Sequence, residues 1–248
     1  MTVFIGITTV WSEETWGEMD DQPGGILYNP VQYSNAMYDC NAVPLLIALP
    51  TGIKGESEQK RVAGIILDRL SGLFISGGGG NRKFQAPNMP CLEEQQPQRH
   101  SFEAALLKEA WKRKIPVIGA CRGHQMIIET LGGKIKSDTV CDHQQQKDQK
   151  TAHSIEIEKG SKLAGIVGAE DWEVNSLHCQ VAESAPEGFM VSARSPEGYI
   201  EAIEAEGTAF WIGFQFHPEA MYSFDPKAKK VIEAFIRAAE DYEARQVG

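Results

Sequence analysis

Three short stretches of this chain hold residue types that could do chemistry, and each follows an apolar run. The first is "PVIGACRGHQM", Pro116 to Met126, in which Cys121 stands between Gly119 and Gly123. Strand, G-x-C-x-G, then helix is the layout of a nucleophile elbow, with sulfur in place of a hydroxyl. The turn is sharp because the nucleophile must stand exposed above the carboxyl edge of a sheet. Flanking glycines remove side chains that would collide with the neighbouring strand and helix. At a helix start, free backbone N–H groups and the dipole favour the thiolate over the thiol. An ordinary thiol, with a pKa near ~8.5, is only a few per cent ionised at neutral pH, so the placement matters. The competing reading is a buried structural cysteine, the common fate of an unpaired one.

A thiol nucleophile needs a base, and six histidines are available: His100, His124, His143, His153, His178 and His217. His124 follows Cys121 by three residues, on the helix, with its side chain directed away from the sulfur. His217, in "WIGFQFHPEA", ends a strong strand signal, and strand carboxyl ends are where an open α/β sheet places its site. Glu219 comes two positions later, with Pro218 restricting the backbone between them. That spacing lets a carboxylate reach the far imidazole nitrogen and fix its tautomer, the logic of a triad defined by roles rather than chain order. The third stretch is "FISGGGGN", Phe74 to Asn81. A phosphate cradle is the obvious rival there, but a P-loop would end in Gly-Lys-Ser/Thr and this chain has Asn81-Arg82-Lys83. Beside the elbow, one of the glycine N–H groups would join that of Arg122 as an oxyanion hole, each donor worth roughly 2.7–4 kcal/mol of transition-state stabilisation. Three strand ends thus converge on acyl transfer.

The elements that must position these residues alternate. "VFIGIT" (3–8), "AVPLLIAL" (42–49), "GLFISG" (72–77) and "IPVIGA" (115–120) read as strands buried on both faces. Between them, Asn29-Pro30 opens a helix through Cys40, with Asn as cap. The stretches 57–70 and 101–114 carry apolar residues at three- and four-residue spacing, and a helix over 122–133 stops at a Gly pair. This rhythm predicts an α/β fold: a three-layer, open, mostly parallel sheet with helices on both faces. In the second half, "HSIEIE", "WEVNSL", "FMVSARS", "YIEAIEA" and "FWIGFQF" add antiparallel strands to the same sheet, and a long amphipathic helix closes the chain over 225–246. The stretches 84–100 and 141–153 read as long polar loops, which in compact domains are more often functional than idle. Nothing justifies a cut, so 1–248 is expected to form one domain.

Bulk properties narrow the function. The chain has 248 residues, 42% of them apolar, and a formal net charge of -10. That charge argues against a nucleic-acid partner, which would require basic stripes. No apolar run approaches a membrane span, and "MTVFIGITTV" lacks the charged start and cleavage site of a signal peptide. Five scattered cysteines (Cys40, Cys91, Cys121, Cys141, Cys179) form no CxxC pair. They predict neither a disulfide framework nor a zinc ribbon, and a reducing cytoplasm suits them. A metal site using His143 and His153, with Cys141 and Asp142 nearby, fits no defensible zinc spacing. No cofactor and no metal are expected. A homodimer is left open.

Together, "ISGGGG", "PVIGACRGHQ" and "FQFHPE" resemble, in order, the three motifs of the class I glutamine amidotransferase-like superfamily, a flavodoxin-like fold. Within it the chain resembles the gamma-glutamyl-gamma-aminobutyrate hydrolase group, peptidase family C26. The further likeness lies in "SFEAALLKEAWKRKIPVIGACRGHQ", "VNSLHCQ" (174–180), "SARSPEGYIEAIE" (192–204), Ala152-His153 and the opening "FIGIT". The resemblance implies Cys121 as nucleophile, His217 as base and then acid, and Glu219 as its orienting carboxylate. It implies Gly78 and Arg122 as oxyanion donors, with Gly79 the alternative to Gly78. Gln125 matches the position that holds the glutamyl group, and His178-Cys179-Gln180 the segment that receives the substrate's α-amino and α-carboxylate end. The implied reaction is attack of sulfur on a γ-glutamyl amide, release of an amine, and hydrolysis of the thioester.

The departures lie where the leaving group would sit. The hydrolases usually carry an acidic residue and aromatic-Gly-Glu after the glycine turn, where this chain reads "NRKFQAPNMPCLEEQQ". Their usual Arg-Asp before the next helix reads Arg99-His100. The entry loop over 11–29 is acidic and carries Trp11 and Trp16, which could wall an apolar amine or simply pack the loop, while Arg82 or Lys83 could hold a carboxylate. Two other functions compete. A glutaminase component passing ammonia to a synthase partner would use the same triad. A noncatalytic binding protein on this fold would be expected to lack Cys121 or His217, and both are present.

Overall fold

The computed structural model describes residues 2–12, 25–49, 52–53, 55–78, 89–139 and 149–247. The chain opens with β1 (Phe4–Thr8) and a ribbon of β2 (Val10–Ser12) and β3 (Ile26–Tyr28), which pair antiparallel apart from the main sheet. Next come α1 (Val31–Asp39), β4 (Val43–Ile47), α2 (Glu56–Leu67), β5 (Gly72–Ile75), α3 (Leu92–Gln95), α4 (Pro97–Arg113), β6 (Val117–Ala120) and α5 (Arg122–Thr130). The second half holds β7 (Lys134–Thr139), β8 (His153–Ile157), α6 (Lys162–Val167), β9 (Asp171–Val174), β10 (Gln180–Ser184), β11 (Phe189–Arg194), β12 (Ile200–Ala205) and β13 (Trp211–Phe214). It ends in α7 (Pro218–Met221) and α8 (Pro226–Val247).

The main sheet runs β4-β1-β5-β6-β13-β12-β11-β8-β9. Strands from β4 to β13 are parallel, and from β13 onward each pairing is antiparallel. A further antiparallel pair, β7 with β10, joins through Ala182 opposite Ile200 of β12. This is the α/β fold expected. Successive strand residues point to opposite faces, and the central strands supply two cores. Phe74, Ile118 and Ile212 enter one with Phe235 of α8 and Met37 of α1. Leu73, Ile75, Val117 and Trp211 enter the other with α2, α4 and α5. Two apolar faces covered by helices explain why these strands read as continuous apolar runs.

Several expectations need correction. β4 is not buried on both faces, because it is the edge strand: Leu45 is 39% and Leu46 53% exposed. Asn29 does not cap α1, whose N-cap is Pro30; its amide instead donates to the Thr8 carbonyl at 3.0 Å. The stretch 84–100 is not all loop, since α3 and the first turn of α4 occupy its end, Pro97 opening a helix that the apolar spacing begins only at Ser101. β7, β10, α6 and the β2–β3 ribbon were not expected; all are short, with little periodicity to announce them. The cysteine reading also changes, for Cys179 is disulfide-bonded, while Cys40, Cys91 and Cys121 are free. Among the described residues, no helix is long and apolar enough to cross a membrane.

Candidate active site

β5, β6 and β13 are adjacent and parallel, with Leu73 and Trp211 both opposite Val117. Their carboxyl ends therefore lie at one level, and Gly78, Cys121 and His217 each follow one of them. Cys121 has φ 53 and ψ -109, a left-handed conformation uncommon for a side chain with a Cβ. Such strain persists only where the surroundings over-determine it. Here the Cys121 N–H is held by the Phe214 carbonyl at 2.7 Å while α5 begins at the next residue. A Cβ on Gly123 would lie 2.0 Å from the Ile75 carbonyl oxygen, and one on Gly119 would lie 2.7 Å from Gly123 backbone. Both glycines are needed for α5 to seat on β5 and β6, as the spacing suggested.

His217 Nδ1 lies 2.6 Å from Glu219 Oε1, which leaves Nε2 as the nitrogen available to the Cys121 side chain; the ring and Cys121 Cβ both border Gly77. Asn175 grips the His217 backbone twice: its Oδ1 accepts from the N–H at 2.8 Å and its Nδ2 donates to the carbonyl at 3.0 Å. Burial would lower the proton affinity of His217. The Glu219 charge and the thiol contact outweigh it, and hold the imidazolium well above histidine's ordinary range. His124 behaves oppositely: buried against Gly213, it is pushed down to about 3 and stays neutral, away from the sulfur.

On the glycine turn, the Gly77 N–H is already committed to the Tyr33 hydroxyl at 2.8 Å. Gly78, at φ +75, is the next N–H in line, and its positive φ is open to glycine at no steric cost. Gly79 lies outside the described residues. Arg122 opens α5, so its backbone N–H has no intrahelical acceptor. Tyr33 was missed in the sequence. Its hydroxyl lies 3.5 Å from His217 Nδ1, and burial followed by the Glu219 charge raises its pKa well above the ordinary value. Its place as the third residue of α1 carried no signal of this role.

Gly77 separates these groups narrowly. A Cβ there would sit 2.6 Å from His217 Cε1 and 3.1 Å from Cys121 Cβ. Gly77→Ala is expected to displace the imidazole and lower kcat about 10²-fold, the loss that a misplacement near 1 Å can bring. Steady-state kinetics with a melting curve checks this; an unchanged kcat in a folded variant would show that the ring can move aside freely.

Of the residues matched to the glutamyl group, Gln125, His178 and Gln180 are buried, and Gln125 and Gln180 are tied to each other. Gln125 Nε2 donates to the Gln180 carbonyl at 2.8 Å and to Gln215 Oε1 at 3.2 Å. Gln180 Oε1 accepts from Gln95 at 2.8 Å. His178 Nε2 lies 3.7 Å from Glu201, which His153 also approaches, at 4.0 Å. His143 lies outside the described residues, so the metal pairing weighed with it is not described. His153, His178 and Glu201 do present ligand atoms within 4.8 Å of one another. Trp11 packs against the α2–α4–α5 core, while Trp16, Arg82 and Lys83 are outside the described residues. His100 leaves the site altogether and meets Glu129 at 2.6 Å.

The family model "Peptidase C26" matches residues 3–219. The chain belongs to the peptidase C26 family. A Mycobacterium tuberculosis protein named provisionally as a glutamine amidotransferase is 30% identical over 98% of this chain and 76% of its own length. The gamma-glutamyl-gamma-aminobutyrate hydrolase of Escherichia coli K12 is 26% identical, covering 87% of each chain. Among solved structures, a Thermotoga maritima glutamine amidotransferase superposes with a TM-score of 0.55 at 19% identity, over 96% of both chains. That likeness concerns the fold: a class I glutamine amidotransferase-like sheet. As a C26 member this chain is a hydrolase-family protein.

Proposed function

We propose that this protein is a cysteine hydrolase that cleaves the γ-glutamyl amide bond of a small N-substituted γ-glutamyl compound, giving glutamate and the free amine. γ-Glutamyl-GABA or a related γ-glutamyl amine or anilide is the substrate class. The observation that carries the reading is the meeting of Gly78, Cys121 and His217 at three adjacent strand ends, with Glu219 Oε1 at 2.6 Å from the imidazole.

In the first half-reaction the Cys121 thiolate attacks the γ-carbonyl carbon. The carbonyl oxygen becomes an oxyanion facing the N–H groups of Gly78 and Arg122. The C–N bond breaks as His217 passes its proton to the departing nitrogen, leaving a γ-glutamyl thioester on sulfur. In the second, water replaces the amine, His217 takes one of its protons, and the C–S bond breaks to release glutamate and restore the thiolate. Glu219 holds Nδ1–H throughout, so Nε2 alone exchanges protons. Gln125, Gln180 and the His178-Cys179 segment are the proposed holders of the glutamyl group. The free Cys40, Cys91 and Cys121 support a cytoplasmic setting, against which the disulfide at Cys179 weighs.

A glutaminase component feeding ammonia to a synthase is the second reading, favoured by the amidotransferase names of relatives. A panel of glutamine, γ-glutamyl-GABA, γ-glutamyl amines and γ-glutamyl anilides separates the two by glutamate release. Fast cleavage of one N-substituted amide by the isolated protein, with poor use of glutamine, is expected. Activity on glutamine alone, or only with added cell extract, would favour the glutaminase.

A further inference from the structure

Beneath the candidate oxyanion hole lies a buried ionic group that the mechanism above does not use. Arg99 and Glu103 are each 1% exposed and Arg122 is 3% exposed. Arg99 Nε donates to Glu103 Oε1 at 2.8 Å, and Arg122 Nη1 donates to the other carboxylate oxygen, Oε2. The rest of the Arg99 guanidinium is turned to the glycine turn after β5. Nη2 donates to the Ser76 carbonyl at 2.7 Å, the Ser76 hydroxyl at 3.0 Å and the Gly77 carbonyl at 3.3 Å, while Nη1 donates to the Gly78 carbonyl at 2.9 Å.

Two features of this arrangement go beyond packing. The peptide is planar and trans, so the Gly77 carbonyl and the Gly78 N–H belong to one plate and point opposite ways. Anchoring that carbonyl on Arg99 turns the Gly78 N–H the other way. At the other end, the residue that Glu103 grips by its side chain is Arg122, whose backbone N–H is the second donor. The chain of contacts therefore runs from one donor-bearing turn through Arg99, Glu103 and Arg122 to the other. Its formal charge is also unbalanced: two guanidiniums face one carboxylate. Burial pulls Arg122 down to about 10, still protonated at neutral pH, and Glu103 is held below its ordinary range despite burial by the two arginines. Two guanidiniums are thus fixed around one carboxylate under the place where negative charge develops, with Glu129 a further negative charge acting on Arg122.

We propose that Arg99, Glu103 and Arg122 form a cross-brace that sets the relative position of the Gly78 and Arg122 N–H groups, acting as positioning residues for the oxyanion. The proposal rests on the thiol hydrolase reading. It predicts a defect in transition-state stabilisation that leaves the thiol itself intact. Alkylation by iodoacetamide is a direct displacement at carbon and needs no oxyanion, so it reports Cys121 and His217 alone.

The experiment compares wild type with Glu103→Gln and Arg99→Lys, measuring kcat and KM on the amide cleaved in the panel, iodoacetamide inactivation and melting temperature. Glu103→Gln keeps the side chain's shape but can accept from only one arginine; Arg99→Lys keeps the charge but cannot span the carbonyls. Expected in either folded variant is a kcat about 10²-fold lower, the size of losing one oxyanion donor. KM should stay within about threefold and inactivation at the wild-type rate. An unchanged kcat in a folded variant would overturn the brace, as would an equal loss of turnover and inactivation, which would mark a merely structural role. Should Glu103→Gln fail to fold, Arg99→Lys decides. Wild type that cleaves no γ-glutamyl amide, or a fully active Cys121→Ala protein, would instead remove the hydrolase reading beneath it.

Discussion

Cys121→Ala is expected to lower γ-glutamyl amide turnover by about 10⁴-fold or more, the scale at which loss of a nucleophile leaves only binding and oxyanion stabilisation. Nothing near the elbow can stand in for the sulfur. The turn is closed by Gly119, Gly123 and the Cys121–Phe214 backbone hydrogen bond, and these place one side chain at the tip. The fold should be indifferent to the change, because alanine occupies φ 53 with the same strain as cysteine. Cys121→Ser should behave similarly, since a hydroxyl beside His217 does not ionise as a thiol does. Glutamate release with melting temperature as control makes the check. Wild-type turnover in the alanine variant, with its fold intact, would end the assignment of Cys121.

Glu219→Gln should be nearly as damaging, about 10⁴-fold in kcat, although the side chains are isosteric. A buried carboxylate 2.6 Å from Nδ1 can only accept, which fixes the proton there and leaves Nε2 to face the sulfur. A glutamine can donate instead, which makes Nδ1 an acceptor and leaves the ring neutral, so the imidazolium that protonates the leaving amine and supports the thiolate is lost. The pH dependence gives a second reading with a definite sign. Although burial lowers the proton affinity of His217, the Glu219 charge, the largest cause opposing it, helps carry the pKa well above 6.5. Removing that charge lowers it, so the alkaline limb of kcat/KM should move to lower pH in the variant. Stability follows the same linkage. A raised folded pKa contributes stability that is fully present below the unfolded value and is lost as pH rises through the folded one. Wild type should therefore lose melting temperature through the alkaline range, and Glu219→Gln should lose less of it. An alkaline limb that does not move would mean that Glu219 does not set the charge on His217.

The consequences for specificity lie at the edges of the site. His100 stands where the hydrolases usually carry an aspartate, but it joins α4 to α5 through Glu129 rather than reaching Cys121. Trp11 lends its carbonyl to Gln96 at 2.8 Å and its ring to the core, so its described contacts belong to packing. The identity of the amine is therefore a question for the panel rather than for these two side chains.

What the sequence by itself determined was whatever is local. G-x-C-x-G after an apolar run specifies a sharp turn because glycine alone tolerates the close approach of strand and helix, and Gly123, facing the Ile75 carbonyl, is an instance. His-Pro-Glu specifies a carboxylate within reach of an imidazole because two residues span so short a distance. The alternation of apolar runs and amphipathic stretches determined an open α/β sheet, since neither kind of element can bury its apolar surface alone. What only the tertiary structure decided was adjacency between residues far apart in the chain. That β4 is an edge strand, that the Tyr33 hydroxyl comes within 3.5 Å of His217 Nδ1 and that Asn175 holds its backbone are all consequences of strand order and packing. The Arg99–Glu103–Arg122 group shows the difference most directly. Arg99 and Glu103 at i and i+4 are a pair any helix can make, and on a surface such a pair contributes only a few tenths of a kcal/mol. Its burial, and its grip on two separate turns, came from where α4 docks, against α2 and α5.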